Sequence, residues 1–330
     1  MIRQSIRFAG ALALVALFLP VLQAAAQQEI PAAPVAQAPS APTPAAAPVF
    51  PKPNPANFNA AGPSTEAFNN FMNIYYGWED NIVWQVQAIM KTPIDGLSQV
   101  VVLVADKTTK VDPQPRAYFV SIDGKHVLLG DQIVPSDEHP FAPARALLQQ
   151  RADGPYRGSA SKDLEIVEFA DFQCPVCKAV QANMDQLAAD FPKARFVFET
   201  FPLPEIHPQA TRAAAYGACV AKQGGSAAFF SFASATFEGQ EGLASADGAT
   251  LTLNSAVIKA GLDPVAIATC AADPATITAV QASRKFAMDL GFNGTPALFI
   301  NGRQIPPNIP YNVLKKIILF QAKLDGVAAQ

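Results

Sequence analysis

The chain has 330 residues, a formal net charge of −3, and hydrophobic side chains at half of its positions. That length allows two domains. The nearly balanced charge, with no basic block or stripe, excludes nucleic acid as an expected partner.

The N-terminus carries Arg3 and Arg7, then an apolar run from Phe8 to Leu22 that ends in Ala24-Ala25-Ala26. This is the pattern of a cleavable export signal over residues 1–26. The run is shorter than the ~20 residues a membrane-spanning helix needs. A retained anchor is the competing reading. No cysteine stands at the cleavage point, so lipid attachment is not expected. Export to the periplasm would put the cysteines in an oxidising compartment.

Residues 27–62 are rich in proline and alanine and almost free of charge. They have no periodicity and too little apolar surface to offset the entropy of ordering. They read as a disordered, semi-extended tether.

Residues 63–135 read as a small α+β domain. Ser64 is a plausible N-cap for a helix with Phe68, Phe71, Ile74 and Tyr75 at helical spacing. Strands are expected from Ile82 to Met90, Leu97 to Val104 and Arg116 to Ile122. An Asp123-Gly124 turn leads to a further strand, His126 to Leu129. No cysteine and no cluster of catalytic type falls here. Residues 136–155 form a joint, with a helix from His139 to Gln150 and a break at Asp153-Gly154-Pro155.

Residues 156–326 read as the second domain, of α/β class. Leu164 to Ala170 is nearly continuous in apolar residues, as in a strand buried on both faces. A helix from Lys178 to Asp190 and a strand from Phe196 to Phe201 complete a βαβ unit with a parallel pair. An alanine-rich helical stretch runs from Pro208 to about Phe237. Asp263-Pro264 and Asp273-Pro274 each pair an N-cap with proline at the first helical position. Ala297 to Ile300, the Asn301-Gly302 turn and Arg303 to Ile305 form a hairpin. An amphipathic helix with Leu314, Ile317, Ile318 and Leu324 follows.

The chemistry centres on Cys174-Pro175-Val176-Cys177, at the junction of the Leu164 strand and the Lys178 helix. Thiol exchange needs one accessible thiolate and a second thiol close enough to resolve the mixed disulfide. At the first turn of a helix, free amides and the macrodipole favour a thiolate at Cys174. Pro175 suits that turn, and Lys178 adds a positive charge nearby. Half of a zinc site and a local structural disulfide are the competing readings. There is no second CxxC, and His126, His139 and His207 lack ligand spacing, so no metal is expected.

Glu168 lies among apolar neighbours six positions before Cys174. It reads as a buried proton acceptor serving Cys177, with an edge position reaching water as the alternative. At Thr295-Pro296, a cis bond would turn the Thr295 backbone groups towards an extended client chain. An ordinary trans proline opening a strand is the alternative. Cys219 and Cys270 remain for each other as a structural disulfide, or stay as two buried thiols.

The stretch Glu168-Phe169-Ala170-Asp171-Phe172-Gln173-Cys174-Pro175-Val176-Cys177 resembles the active site of DsbA-like thioredoxin-fold proteins. Phe201-Pro202-Leu203, His207-Pro208, Gly261-Leu262-Asp263 and Gly294-Thr295-Pro296-Ala297-Leu298-Phe299-Ile300-Asn301-Gly302-Arg303 match in the family's order and spacing. The resemblance implies a thioredoxin-like fold with a helical insertion at about 209–288. It implies Cys174 as nucleophile, Cys177 as resolving thiol, Glu168 as buried carboxylate and Thr295-Pro296 as the cis-proline loop. A second disulfide in the insertion, found in some members, fits Cys219 and Cys270.

The implied partners are unfolded or misfolded exported proteins and a membrane redox partner that recharges the cysteine pair; no cofactor is implied. The Pro-Val dipeptide between the cysteines departs from the Pro-His of the strongest oxidants and implies a milder one. Ile94-Asp95-Gly96-Leu97 and the region from Tyr118 to Gln132 resemble the dimerisation domain of DsbC-like isomerases, which implies a homodimer. A binding protein of another class, a dimeric chaperone or metal-handling module with structural cysteines, is the alternative function.

Overall fold

The computed structural model describes residues 48–130, 132–136, 139–306 and 309–330. The expected export signal, residues 1–26, and most of the expected tether, residues 27–62, lie outside the described residues.

The first folded part begins with helix α1 (Thr65–Tyr76), where the Ser64 side chain accepts from the Ala67 amide. Five antiparallel strands follow in simple meander order: β1 (Ile82–Lys91), β2 (Leu97–Asp106), β3 (Gln114–Ser121), β4 (His126–Leu129) and β5 (Gln132–Pro135). One face of this sheet packs on α1 through Phe68, Phe71, Val100, Val102, Val120 and Val127. Strand β5 was not expected, because four residues carry too little period-2 signal.

The expected disorder does not hold at the C-terminal end of residues 27–62. The Asn54 side chain caps a short 3-10 turn at Pro55–Asn57. Asn59 and Ala60 then donate backbone N–H bonds to the Ile89 carbonyl. The Ser98 hydroxyl donates to the Gly62 carbonyl. Residues 58–60 are therefore bound to β1 and Gly62 to β2, and Phe58 packs against the core of the first part. Backbone pairing with a strand edge needs no side-chain periodicity, so composition alone did not signal it.

Helix α2 (Ala142–Arg151) leads to a second five-stranded sheet. Its strands are β6 (Tyr156–Gly158), β7 (Glu165–Ala170), β8 (Arg195–Thr200), β9 (Ala297–Ile300) and β10 (Arg303–Ile305), in the order β10-β9-β7-β8-β6. β7 and β8 are parallel, joined by α3 (Pro175–Asp190), while β9 runs antiparallel to β7. Helices α3 and α8 (Tyr311–Leu324) cover one face; α2 and α7 (Pro274–Asp289) cover the other. At the β9–β10 turn both Asn301 and Gly302 have positive φ, 47° and 84°. That is the type I′ geometry which matches strand twist.

Between β8 and β9 the chain makes a helical insertion: α4 (Ala210–Glu238), α5 (Ala246–Lys259), α6 (Pro264–Ala271) and α7. Its core, with Phe172, Phe198, Phe229 and Phe232, is continuous with the two cysteines of the CxxC motif. Helix α5 was not anticipated. Its Gly248, Thr250, Thr252 and Asn254 are weak helix formers. Burial of Ala249, Leu253, Ala256 and Val257 overrides that propensity.

Arg303 fastens the two parts together. Its guanidinium donates to the Ile74 and Tyr75 carbonyls at 2.7 and 3.0 Å and to Gln321 Oε1 at 2.8 Å. The first two belong to the last turn of α1, where carbonyls lack helical partners and the macrodipole favours a cation.

Candidate active site

Cys174 is the N-cap of α3, in extended conformation, and Pro175 occupies the first helical turn. The Cys177 amide donates to Cys174 Sγ at 3.5 Å. The two thiols are unbridged, and both residues are buried, Cys174 at 6 % exposure and Cys177 at 0 %. Hydrogen bonding by the Cys177 thiol, more than any other contact, pulls the Cys174 thiol down to about 5, with Thr295 and the first-turn amides adding to it. Burial does the opposite at Cys177. With the Cys174 sulfur and the Glu168 carboxylate nearby, it keeps that thiol protonated far above the usual range. One helix turn thus carries a thiolate and a thiol side by side.

Glu168 sits on β7 opposite Phe198 of β8 and Leu298 of β9, so its strand is central in the sheet. The alternative of an edge position does not hold. The side chain is 4 % exposed, and burial raises its carboxyl to about 7. Gln181, one turn beyond Cys177 on α3, opposes that rise by donating its amide to Glu168 Oε1 at 2.8 Å. A carboxyl group poised near neutrality can both take and return a proton.

The Thr295–Pro296 peptide bond is cis, and Cys174 Sγ lies 3.5 Å from the Thr295 carbonyl oxygen. This loop enters β9, directly beside the end of β7, because Ala297 pairs with Phe169. The structure therefore brings together Cys174, Cys177, Glu168, Thr295 and Pro296, with Val176 more than one-third exposed between the cysteines.

Cys219 on α4 and Cys270 on α6 are joined as a disulfide inside the insertion, remote in sequence from the CxxC motif.

Three further residues frame the site. Gln240 donates its amide to the carbonyls of Phe172 and Cys174 at 2.8 and 3.0 Å, tying the loop before α3 to the insertion. The Asp171 carboxylate accepts from the Gln173 and Leu203 amides at 2.8 and 2.9 Å and lies 2.8 Å from His207 Nδ1. Gln181 is the third. Sequence reasoning passed over Gln240 entirely, since nothing local ties a residue sixty-six positions away to Cys174. Gln181 carried a weak signal: its i+4 spacing from Cys177 puts it on the same face of α3.

A family model described as thioredoxin matches residues 150–319, just over half of the chain. Among curated proteins, the chain is similar to the Na(+)/H(+) antiporter NhaA 3 of Salinispora tropica, at 29 % identity over 157 residues. That match covers 48 % of this chain and 22 % of the antiporter. It is also similar to Na(+)/H(+) antiporter NhaA 1 of Mycolicibacterium gilvum, at 29 % over 170 residues, covering 50 % and 25 %. The chain spans about a quarter or less of the length of these relatives. Among solved structures, a thioredoxin-like oxidoreductase from Silicibacter pomeroyi is 27 % identical, with a TM-score of 0.45, covering 54 % of this chain and 97 % of that one. The thiol-disulfide exchange protein alpha-DsbA2 from Wolbachia pipientis is 25 % identical, with a TM-score of 0.46, covering 54 % and 95 %. Every residue of the site falls within the span matched by the thioredoxin model, and the chain belongs to the thioredoxin family.

Proposed function

We propose that the chain forms or isomerises disulfides in exported proteins of the periplasm, with Cys174 as nucleophile and Cys177 as resolving thiol. The observation that carries this reading is the pairing of a lowered thiol at the N-cap of α3 with a raised one a single turn inside. In the reducing direction, the Cys174 thiolate attacks a client disulfide. The client S–S bond breaks, a mixed disulfide forms, and one client thiolate leaves. Cys177 then gives its proton to Glu168 and attacks Cys174 Sγ. The second client thiolate leaves and takes up the proton. The client gains two electrons, and the Cys174–Cys177 disulfide holds the oxidising equivalent. Oxidation of a client is the reverse, and a membrane redox partner would recharge the pair. Thr295 and Pro296 would hold the client as an added strand.

A Cys174 thiol near 5 lies between thioredoxin-type active sites, near ~7, and the strongest oxidants, near ~3.5. A more stable thiolate favours the reduced enzyme and makes the disulfide more oxidising. Equilibration with glutathione is therefore expected to give a reduction potential between ~−270 and ~−120 mV. A value outside that interval overturns the reading of the pair as a mild oxidant or isomerase.

The alternative, a chaperone or metal-handling protein with structural cysteines, is disfavoured because the cysteines form a buried dithiol beside a carboxylate with a raised pKa.

The first folded part supports a homodimer in this proposal. Phe119, Leu128 and Ile133 are register partners across β3, β4 and β5, on the face opposite Val120, Val127 and Val134. Phe119 and Ile133 are 40 % and 69 % exposed. An apolar row beside the edge strand β5 suits pairing with a second copy. Light scattering at micromolar concentration should give twice the chain mass, and Ile133→Lys should shift it towards the monomer. A wild-type protein that scatters as a monomer removes the dimer from the proposal.

A further inference from the structure

We infer that Gln181 is a positioning residue for proton transfer at Cys177, its amide holding the Glu168 carboxylate in register with the first turn of α3. The inference rests on the reading of Glu168 as the proton acceptor. Its basis is geometric. Gln181 Nε2 donates to Glu168 Oε1 at 2.8 Å and to the Cys177 carbonyl oxygen at 3.1 Å. One amide group thus spans the strand that carries the acceptor and the helix residue that carries the proton. Using both N–H bonds fixes the amide plane, so it cannot turn its carbonyl towards the carboxylate.

An N–H donor favours the ionised carboxylate, whereas burial favours the neutral acid. Gln181 therefore offsets part of the cost of keeping Glu168 charged in a dry site. The other charged or titratable groups beside Glu168 are Arg157 on β6, Asp185 on α3 and the two thiols, Cys174 and Cys177. Arg157 and Asp185 are paired with each other, which blunts both. From β9, β10 and α8, the side chains around Glu168 are apolar: Leu298, Ile305 and Leu314, with Pro296 of the cis-proline loop. No charge from that side replaces the Gln181 donor.

Such a residue acts on the pH dependence of one step, the attack of Cys177 on the mixed disulfide. The test is single-turnover resolution of the Cys174–glutathione mixed disulfide in the full chain, followed by acid quench and mass spectrometry from pH 5 to 9. The wild-type rate should rise through a midpoint near 7, where Glu168 becomes ionised. In Gln181→Leu the midpoint should move up by about one pH unit, with the high-pH plateau retained. Near pH 7 that shift corresponds to a rate about fivefold lower. Gln181→Met, unbranched and without the donor, should shift the same way if the leucine variant folds poorly. In the wild-type protein, the side-chain amide resonance of Gln181 should titrate with the same midpoint.

An unmoved midpoint in the folded variants, a lowered plateau without a shift, or a pH-independent Gln181 amide resonance overturns the inference. Glu168→Gln separates it from the reading beneath it. If that variant loses the midpoint while the Gln181 variants keep it, Glu168 stands and Gln181 falls. If Glu168→Gln keeps the wild-type profile, both fall.

Discussion

Replacing Cys174 with serine is expected to reduce insulin reduction to the uncatalysed background, a loss of at least about 100-fold. A serine hydroxyl at the same N-cap keeps the helix start but offers no nucleophile of thiolate strength. Cys177→Ser should behave differently: Cys174 still attacks, and mixed disulfides with clients accumulate because no second thiol resolves them. The pH dependence of the first attack follows from the Cys174 environment. Its thiol is held at about 5, so the thiolate forms as pH rises through that value and is complete by neutrality. Iodoacetamide labelling of the reduced protein should therefore be half-maximal near pH 5 and flat from pH 7 to 9. Cys177 should stay unlabelled across the range, because its thiol is buried and held far above the usual value. A labelling midpoint near the ~8.5 of a free thiol, or equal labelling of both cysteines, would contradict the assignment.

The parts of this site that could be read from sequence are those whose partners are close along the chain. The strand, the CxxC motif and the helix occupy one continuous stretch, so the N-cap position of Cys174 follows from helix-end chemistry, and the apolar neighbours of Glu168 pointed to burial while leaving an edge position open. Thr295-Pro296 is about 120 residues further on, and only the resemblance linked it to the cysteines. Local sequence left its peptide bond open. The residues that hold the site in place were less visible. Gln240 and Asp171 act through backbone amides and carbonyls, which every residue possesses and no sequence pattern marks. The same reason hid the pairing of residues 59 and 60 with β1, and the failure at α5 was the converse, with tertiary burial outweighing weak helix formers. Arg303 belonged to a quoted stretch, yet its contacts with the end of α1 could not be anticipated until both parts were folded.

Removing the Cys219–Cys270 disulfide is expected to cost about 4 kcal/mol of stability while leaving thiol exchange intact at 25 °C. The bond closes a loop of sequence separation 51 between α4 and α6. In the chain-entropy model, the unfolded chain regains the freedom of that loop once the link is cut. Both cysteines belong to the hydrophobic core of the insertion, Cys219 buried and Cys270 packed against it. Cys219→Ala therefore adds a small packing loss to the lost cross-link. Either single alanine variant already breaks the link, so Cys219→Ala, Cys270→Ala and the double variant should lose nearly the same amount, within about 1 kcal/mol of one another. For a protein of this size the melting temperature should fall by roughly 10 °C. The measurement is thermal unfolding by circular dichroism in the absence of reductant, with insulin reduction at 25 °C as the control for an intact site. An unchanged melting temperature would mean that cutting the link gives the unfolded chain no added freedom, and the expectation fails. A double variant much less stable than either single one would mean that packing, not chain entropy, carries the effect.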